Sequence, residues 1–187
     1  MRHKHTSFFL NSLTIGILLI FTLVTPGKAQ FVDLGQDPCS TRWRQIKTDN
    51  FQIIYPDFFE DNAQYLANIY EKLYAHANTL GIKPKRMSMI VRANGGVSNG
   101  NAGWAPKKSE LYTAPPQDVS DAWLEHLCIH EFRHIVQYDK VNQGFTKALY
   151  YIFGEQITMA VIGVYVPMWF LEGDATVFET SVGKSGR

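Results

Sequence analysis

The sequence predicts an α+β fold, with a small N-terminal sheet, helices packed on it, and a helical second half. Three observations lead there. Segments with strand character, residues 50–55 and 87–92, lie early in the chain, whereas helical periodicity dominates from residue 123 onward. The 187 residues are 45% hydrophobic and 13% aromatic, enough for one buried core and too ordinary for a disordered, collagenous or coiled-coil chain. The 2 cysteines cannot staple a disulfide-dense scaffold.

The first segment, residues 1–29, reads as a secretory signal peptide. Arg2 and Lys4 make a basic start, residues 15–24 are apolar, and Gly27-Lys28-Ala29 offers a small-x-small cut before Gln30. A retained membrane anchor is the alternative. Asn11, Ser12 and Thr14 interrupt the apolar stretch, however, and a span needs about 20 apolar residues. The nearest cysteine beyond the cut is Cys39, so no lipid anchor is indicated. The mature domain is then residues 30–187, exported to the periplasm, outer envelope or extracellular space. Three of the 18 basic residues (Arg2, Lys4, Lys28) and none of the 17 acidic ones lie in residues 1–29, leaving 15 basic against 17 acidic. That balance gives no broad basic face, so nucleic acid is not an expected partner. After export Cys39 and Cys128 have the option of pairing; a buried free thiol at Cys128 is the alternative.

In the mature chain, residues 50–55 are rich in β-formers and stop at Pro56. Residues 59–80 carry apolar side chains at helical spacing, from Ala63 and Leu66 to Ala77 and Leu80, with Gly81 as the stop. Residues 87–92 alternate as a second strand. Residues 94–101 read as a loop by their glycine and asparagine content. Residues 110–113 read as a third strand. A helix capped by Asp118 or Ser120 runs through Trp123, Leu127, Ile135 and Val136. Residues 148–166 are strongly apolar, but Glu155, Gln156 and Pro167 break the stretch. A buried helix or a hairpin fits it better than a membrane span. Pro167 suits the first turn of a last helix, residues 168–181.

The chemistry concentrates in two places. His130-Glu131-Phe132-Arg133-His134 lies on the helix around residue 130, so two imidazoles four residues apart share one face and can reach one metal ion. Zinc takes such nitrogens and requires a third protein ligand; with an open position left for water it can be catalytic. Glu131 sits beside the pair, placed to take a proton from the water rather than to bind metal. Glu172 lies early on the last helix among Trp169, Phe170 and Leu171, where a carboxylate is costly to bury unless a cation or donors satisfy it. Alone, a carboxylate there would be read as complementing the helix dipole. Together with the helix at 130 it reads as the third ligand.

The pair of motifs H-E-F-R-H and W-F-L-E-G-D-A resembles those of the gluzincin metallopeptidases, and more narrowly the peptidase MA-like domains of bacterial envelope proteins. The resemblance implies a zincin-like fold and hydrolysis of peptide bonds in peptide or protein substrates by a zinc-held water. His130, His134 and Glu172 would bind Zn2+ and Glu131 would act as general base. Two departures stand out: the interval from His134 to Glu172 is long, and no tyrosine follows in the position some relatives use. The chain ends at Arg187, soon after the third-ligand helix, as a domain truncated at its C-terminus would. The resemblance also implies an edge strand that holds peptide in extended form; Glu110, Leu111, Tyr112 and Thr113 are the candidates.

Weaker signals surround this core. His126 continues the histidine stripe, but a helix presents only two of three such residues well to one ion. It reads as a packed or hydrogen-bonded neighbour of the ligands. Asp174 either orients a ligand histidine or is solvated. Arg133 reads as a surface or ion-pairing residue. Gly96-Val97-Ser98-Asn99-Gly100 matches a serine-nucleophile motif but lacks the helix that must follow it. The alternative from another class is a non-catalytic envelope module whose zinc is structural, closed by a fourth ligand such as His126. Membrane contact is expected only through an uncleaved signal segment or the apolar stretch at 148–170.

Overall fold

A computed structural model describes residues 37–117 and 123–183. The signal-peptide reading of residues 1–29 and the capping residues Asp118 and Ser120 lie outside the described residues. β1 (Trp43–Lys47) and β2 (Phe51–Pro56) pair as an antiparallel hairpin. α1 (Glu60–Tyr74) crosses over to β3 (Met87–Arg92), which runs parallel to β2. β4 (Ser98–Trp104) and β5 (Lys107–Thr113) form a second antiparallel hairpin. β5, not β4, inserts beside β3, so the sheet order is β1-β2-β3-β5-β4. The helices α2 (Trp123–Val141), α3 (Gly144–Phe153), α4 (Glu155–Tyr165) and α5 (Met168–Val182) follow. The fold class is α+β, with the sheet in the first half.

Strand alternation sets the layers. Phe51, Ile53 and Tyr55 of β2, Met87, Met89 and Val91 of β3, and Leu111 of β5 are buried on one face. Ala63, Leu66, Tyr70 and Leu73 of α1 and Cys128, Phe132, Ile135 and Val136 of α2 pack against them in one core. Phe51 sits at its centre, 5.1 Å from the Tyr70 ring and 6.0 Å from the Phe132 ring. The opposite face carries charge: Arg92 and Lys108 meet Glu110 at 3.0 and 2.9 Å, and Arg92 also pairs with Asp37. Cys128 is buried, which pushes its thiol up to about 12, while Cys39 is exposed; both are free.

Several boundaries differ from the sequence expectations. The helix expected to reach Leu80 ends at Tyr74, and a 3-10 turn at Ala77–Leu80 carries the chain to Gly81, whose φ of 72° closes it. The loop expected at 94–101 becomes strand from Ser98, because β5 supplies backbone partners from Ser98↔Thr113 to Trp104↔Lys107. The apolar stretch at 148–166 is not one buried helix. Gly154, with φ 73°, breaks it into α3 and α4, and only Thr158 and Ile162 of the two helices are buried. Among the described residues no single helix is long and apolar enough to cross a membrane. α4 and α5 reach that length and composition only as a pair, bent by 95°.

Candidate metal centre

The site forms where α5 crosses α2. Three contacts hold the crossing in register. The Arg133 guanidinium donates to both Asp174 oxygens, at 2.6 and 2.8 Å, and to Thr79 at 2.6 Å. The same guanidinium lies 4.9 Å from the Phe178 ring, and Phe178 packs on Phe132. The Gln137 amide donates to the Leu171 carbonyl at 3.0 Å and to Asp174 at 2.6 Å. Arg133 is thus a buried fastening between helices rather than a surface residue. Its charge holds the Asp174 carboxyl below the usual carboxylate range. Asp174 does not touch a ligand histidine; it acts on one through Gln137.

This register brings His130, His134 and Glu172 together from positions 42 and 38 residues apart. His130 Nε2 lies 3.2 Å from His134 Nε2 and 3.2 Å from Glu172 Oε2, and His134 Nε2 lies 3.6 Å from Glu172 Oε1. Metal bonds of about 2.0–2.1 Å at tetrahedral angles separate ligand atoms by about 3.3 Å. The three residues form a group that could hold a metal ion. Their protonation agrees. Gln137 spends its amide hydrogens on Leu171 and Asp174, so its Oε1, 2.9 Å from His134 Nδ1, can only accept. His134 therefore carries its proton on Nδ1 and turns an Nε2 lone pair toward the site. Burial lowers the pKa of His134, favouring the neutral ring that a ligand must be. Tyr138 stacks on that ring at 6.2 Å.

Glu131 lies beside the group and does not join it. It is 4% exposed, and among the described residues its Oε2 has no hydrogen-bond partner. Burial, with the charge of Glu172 adding, pushes its carboxyl up to about 8. Its carboxylate lies against Gly100 of β4 so closely that a Cβ at position 100 would sit 2.3 Å from Glu131 Oε1. A cavity of about 260 Å³ opens here between Asn99–Ala102 and the residues His130, Glu131, His134 and Glu172. A second, of about 160 Å³, continues past Gly100 toward Trp123 and His126.

Other expectations change. Glu110, Leu111, Tyr112 and Thr113 do not form the open edge. They belong to β5, which has strand partners on both sides, and β4 is the terminal strand facing the cavity. Leu111 faces the core, and Glu110 engages Arg92 and Lys108. His126 is not a fourth ligand; its Nδ1 lies 2.8 Å from Glu179 Oε1. Two residues escaped the sequence reading. Gln137, three beyond His134, had only its helical spacing as a signal. Glu179, seven beyond Glu172, could have been found as a second glutamate on the same face of its helix.

Searches against protein-family models, curated proteins and solved structures find no match to this chain.

Proposed function

We propose that this chain is an exported zinc-dependent peptidase of the gluzincin kind, with a zincin-like fold. The observation that carries the reading is the convergence of His130, His134 and Glu172 at tetrahedral spacing beside Glu131, a buried carboxylate with one oxygen unpartnered among the described residues. His130 and His134 with Glu172 would hold the ion. When bound, zinc supplies Lewis acidity toward the scissile carbonyl and makes a neighbouring water acidic. Glu131 receives the proton of the attacking water on its carboxylate and delivers it to the departing amine nitrogen.

Substrate enters along β4. Among the described residues the strand pairs with β5 on one side only, so its other edge offers backbone donors and acceptors to an extended peptide. Asn99–Ala102 lines the cavity next to the ligands, which sets a peptide bond lying there within reach of Glu131. The absence of a fourth ligand from this group among the described residues, together with the cavity on its open side, favours catalysis over a structural zinc. Export is supported by the tripartite pattern of residues 1–29.

The test uses the full chain, zinc analysis and a mixed peptide library. Glu131→Gln is expected to keep wild-type zinc content and lose cleavage by about 10²–10⁴-fold. Chelation should abolish wild-type cleavage, and His134→Ala should lose the metal. Undiminished cleavage by Glu131→Gln removes it as the base. A zinc-loaded wild-type chain that cleaves nothing would instead identify a non-catalytic module.

A further inference from the structure

We propose that Glu179 is a positioning residue for the metal centre, fixing the His130 ring so that its Nε2 lone pair faces the ion. The inference rests on the metal reading above and adds to it a residue outside both sequence motifs. Glu179 lies two helical turns beyond Glu172 on α5, so both carboxylates face α2. Their surroundings differ: the Glu172 side chain is half-exposed at the cavity, whereas Glu179 is 1% exposed, behind the histidines. A carboxylate that deep is retained only where donors meet it.

Two histidines of α2 flank it. Glu179 Oε1 is hydrogen-bonded to His126 Nδ1 at 2.8 Å, whereas Glu179 Oε2 faces His130 Nδ1 at 3.4 Å, an ion-pair distance longer than a hydrogen bond. An ionised carboxylate only accepts hydrogen bonds, so His126 carries its proton on Nδ1, and the carboxylate oxygen facing His130 Nδ1 favours a proton there over one on Nε2. For His130 this leaves Nε2 bare, 3.2 Å from His134 Nε2 and 3.2 Å from Glu172. Gln137 imposes the same tautomer on His134. Two nitrogen lone pairs and a carboxylate oxygen then face one point with no proton among them. That arrangement is repulsive when empty and stabilised by a cation.

His126 explains why the carboxylate stays in place. Held by His126 at one oxygen, the Glu179 carboxylate is kept from turning its other oxygen away from His130. His126 thus completes the histidine stripe as the anchor of the residue that orients a ligand. α5 supplies the third ligand and the group that orients the first, so displacing α5 would disturb two of the three ligands at once.

The experiment compares zinc affinity of the full chain by chelator competition, and the histidine Nδ1–H resonances of the zinc-loaded protein. Glu179→Gln is expected to weaken zinc binding by about 10–100-fold. The His130 Nδ1–H resonance should move, while that of His134, set by Gln137, stays. Glu179→Asp, which keeps the acceptor but withdraws it by one methylene, should fall between the two and serves if the Gln variant folds poorly. Wild-type zinc affinity and an unmoved His130 resonance in both variants overturn the positioning role alone. A wild-type chain that takes up no zinc overturns the metal reading and this inference with it.

Discussion

Gly100 has no positive φ to require glycine; its need is for space. A Cβ there would meet Glu131 Oε1, Cδ and Cγ at 2.3, 2.6 and 2.7 Å, so any side chain displaces the carboxylate assigned as the base. The three nearest atoms all belong to Glu131, which is not one of the candidate ligands. Gly100→Ala is therefore expected to bind zinc normally and lose peptide cleavage by about 100-fold, as a misplacement on the order of 1 Å can cause. The overpacking itself should cost about 1–3 kcal/mol of stability. Steady-state kinetics beside zinc stoichiometry decide the matter, and full activity would mean that Glu131 is not held where the base must be. At this scale the three side chains that converge were legible, because H-E-F-R-H and Glu172 carry their chemistry in residue type and spacing. The roles of Gly100, Gln137 and Glu179 were not. Each depends on what another element places opposite it, and spacing along one helix carries no such information.

Among the elements, α3 and α4 stand apart. α3 buries no residue, although Phe145, Tyr151, Ile152 and Phe153 are large and apolar, and α4 buries only Thr158 and Ile162. The hairpin therefore hangs on one narrow face of α4. Ile162→Ala is expected to cost about 2–5 kcal/mol, as a buried truncation does. Ile152→Ala, at 72% exposure, should change stability by less than about 0.5 kcal/mol. Denaturant unfolding of both variants tests the contrast; equal effects would show that the two helices pack differently. For residues 148–166 the sequence offered a buried helix or a hairpin; two helices joined at Gly154 form, and the burial fails because composition does not specify a partner surface. β4 taught the converse. Its glycines and asparagines read as loop, yet pairing with β5 makes it a strand, since the ladder satisfies its backbone whatever its side chains prefer. The misplaced edge at Glu110–Thr113 has the same origin: strand order is a long-range property.

For the molecule as a whole, the site sets a stability term. In the metal-free chain the Glu131 carboxyl is pushed up to about 8 from an ordinary 4.5. The folded protein thus holds a proton that the unfolded chain releases at lower pH. The stabilisation from this group is complete below about pH 4.5 and is lost as pH rises through about 8. Chelated wild-type protein should lose stability across that window by an amount on the order of 5 kcal/mol. Glu131→Gln, which cannot ionise, should lack this slope and be the more stable of the two at pH 8. Thermal unfolding in a pH series compares them, and matching slopes would mean the carboxylate is not desolvated.

By itself the sequence determined the α+β class, the two helices that carry the candidate ligands and the residue types suited to a metal. These rest on hydrophobic periodicity and side-chain chemistry, which are local. The tertiary structure alone decided that Glu172 reaches the two imidazoles, that β4 is the open edge, and that Glu179 and Gln137 stand behind the ligands. Those facts depend on the Arg133–Asp174 and Phe132–Phe178 contacts that set α5 across α2, and packing between distant segments leaves no periodic mark in the chain.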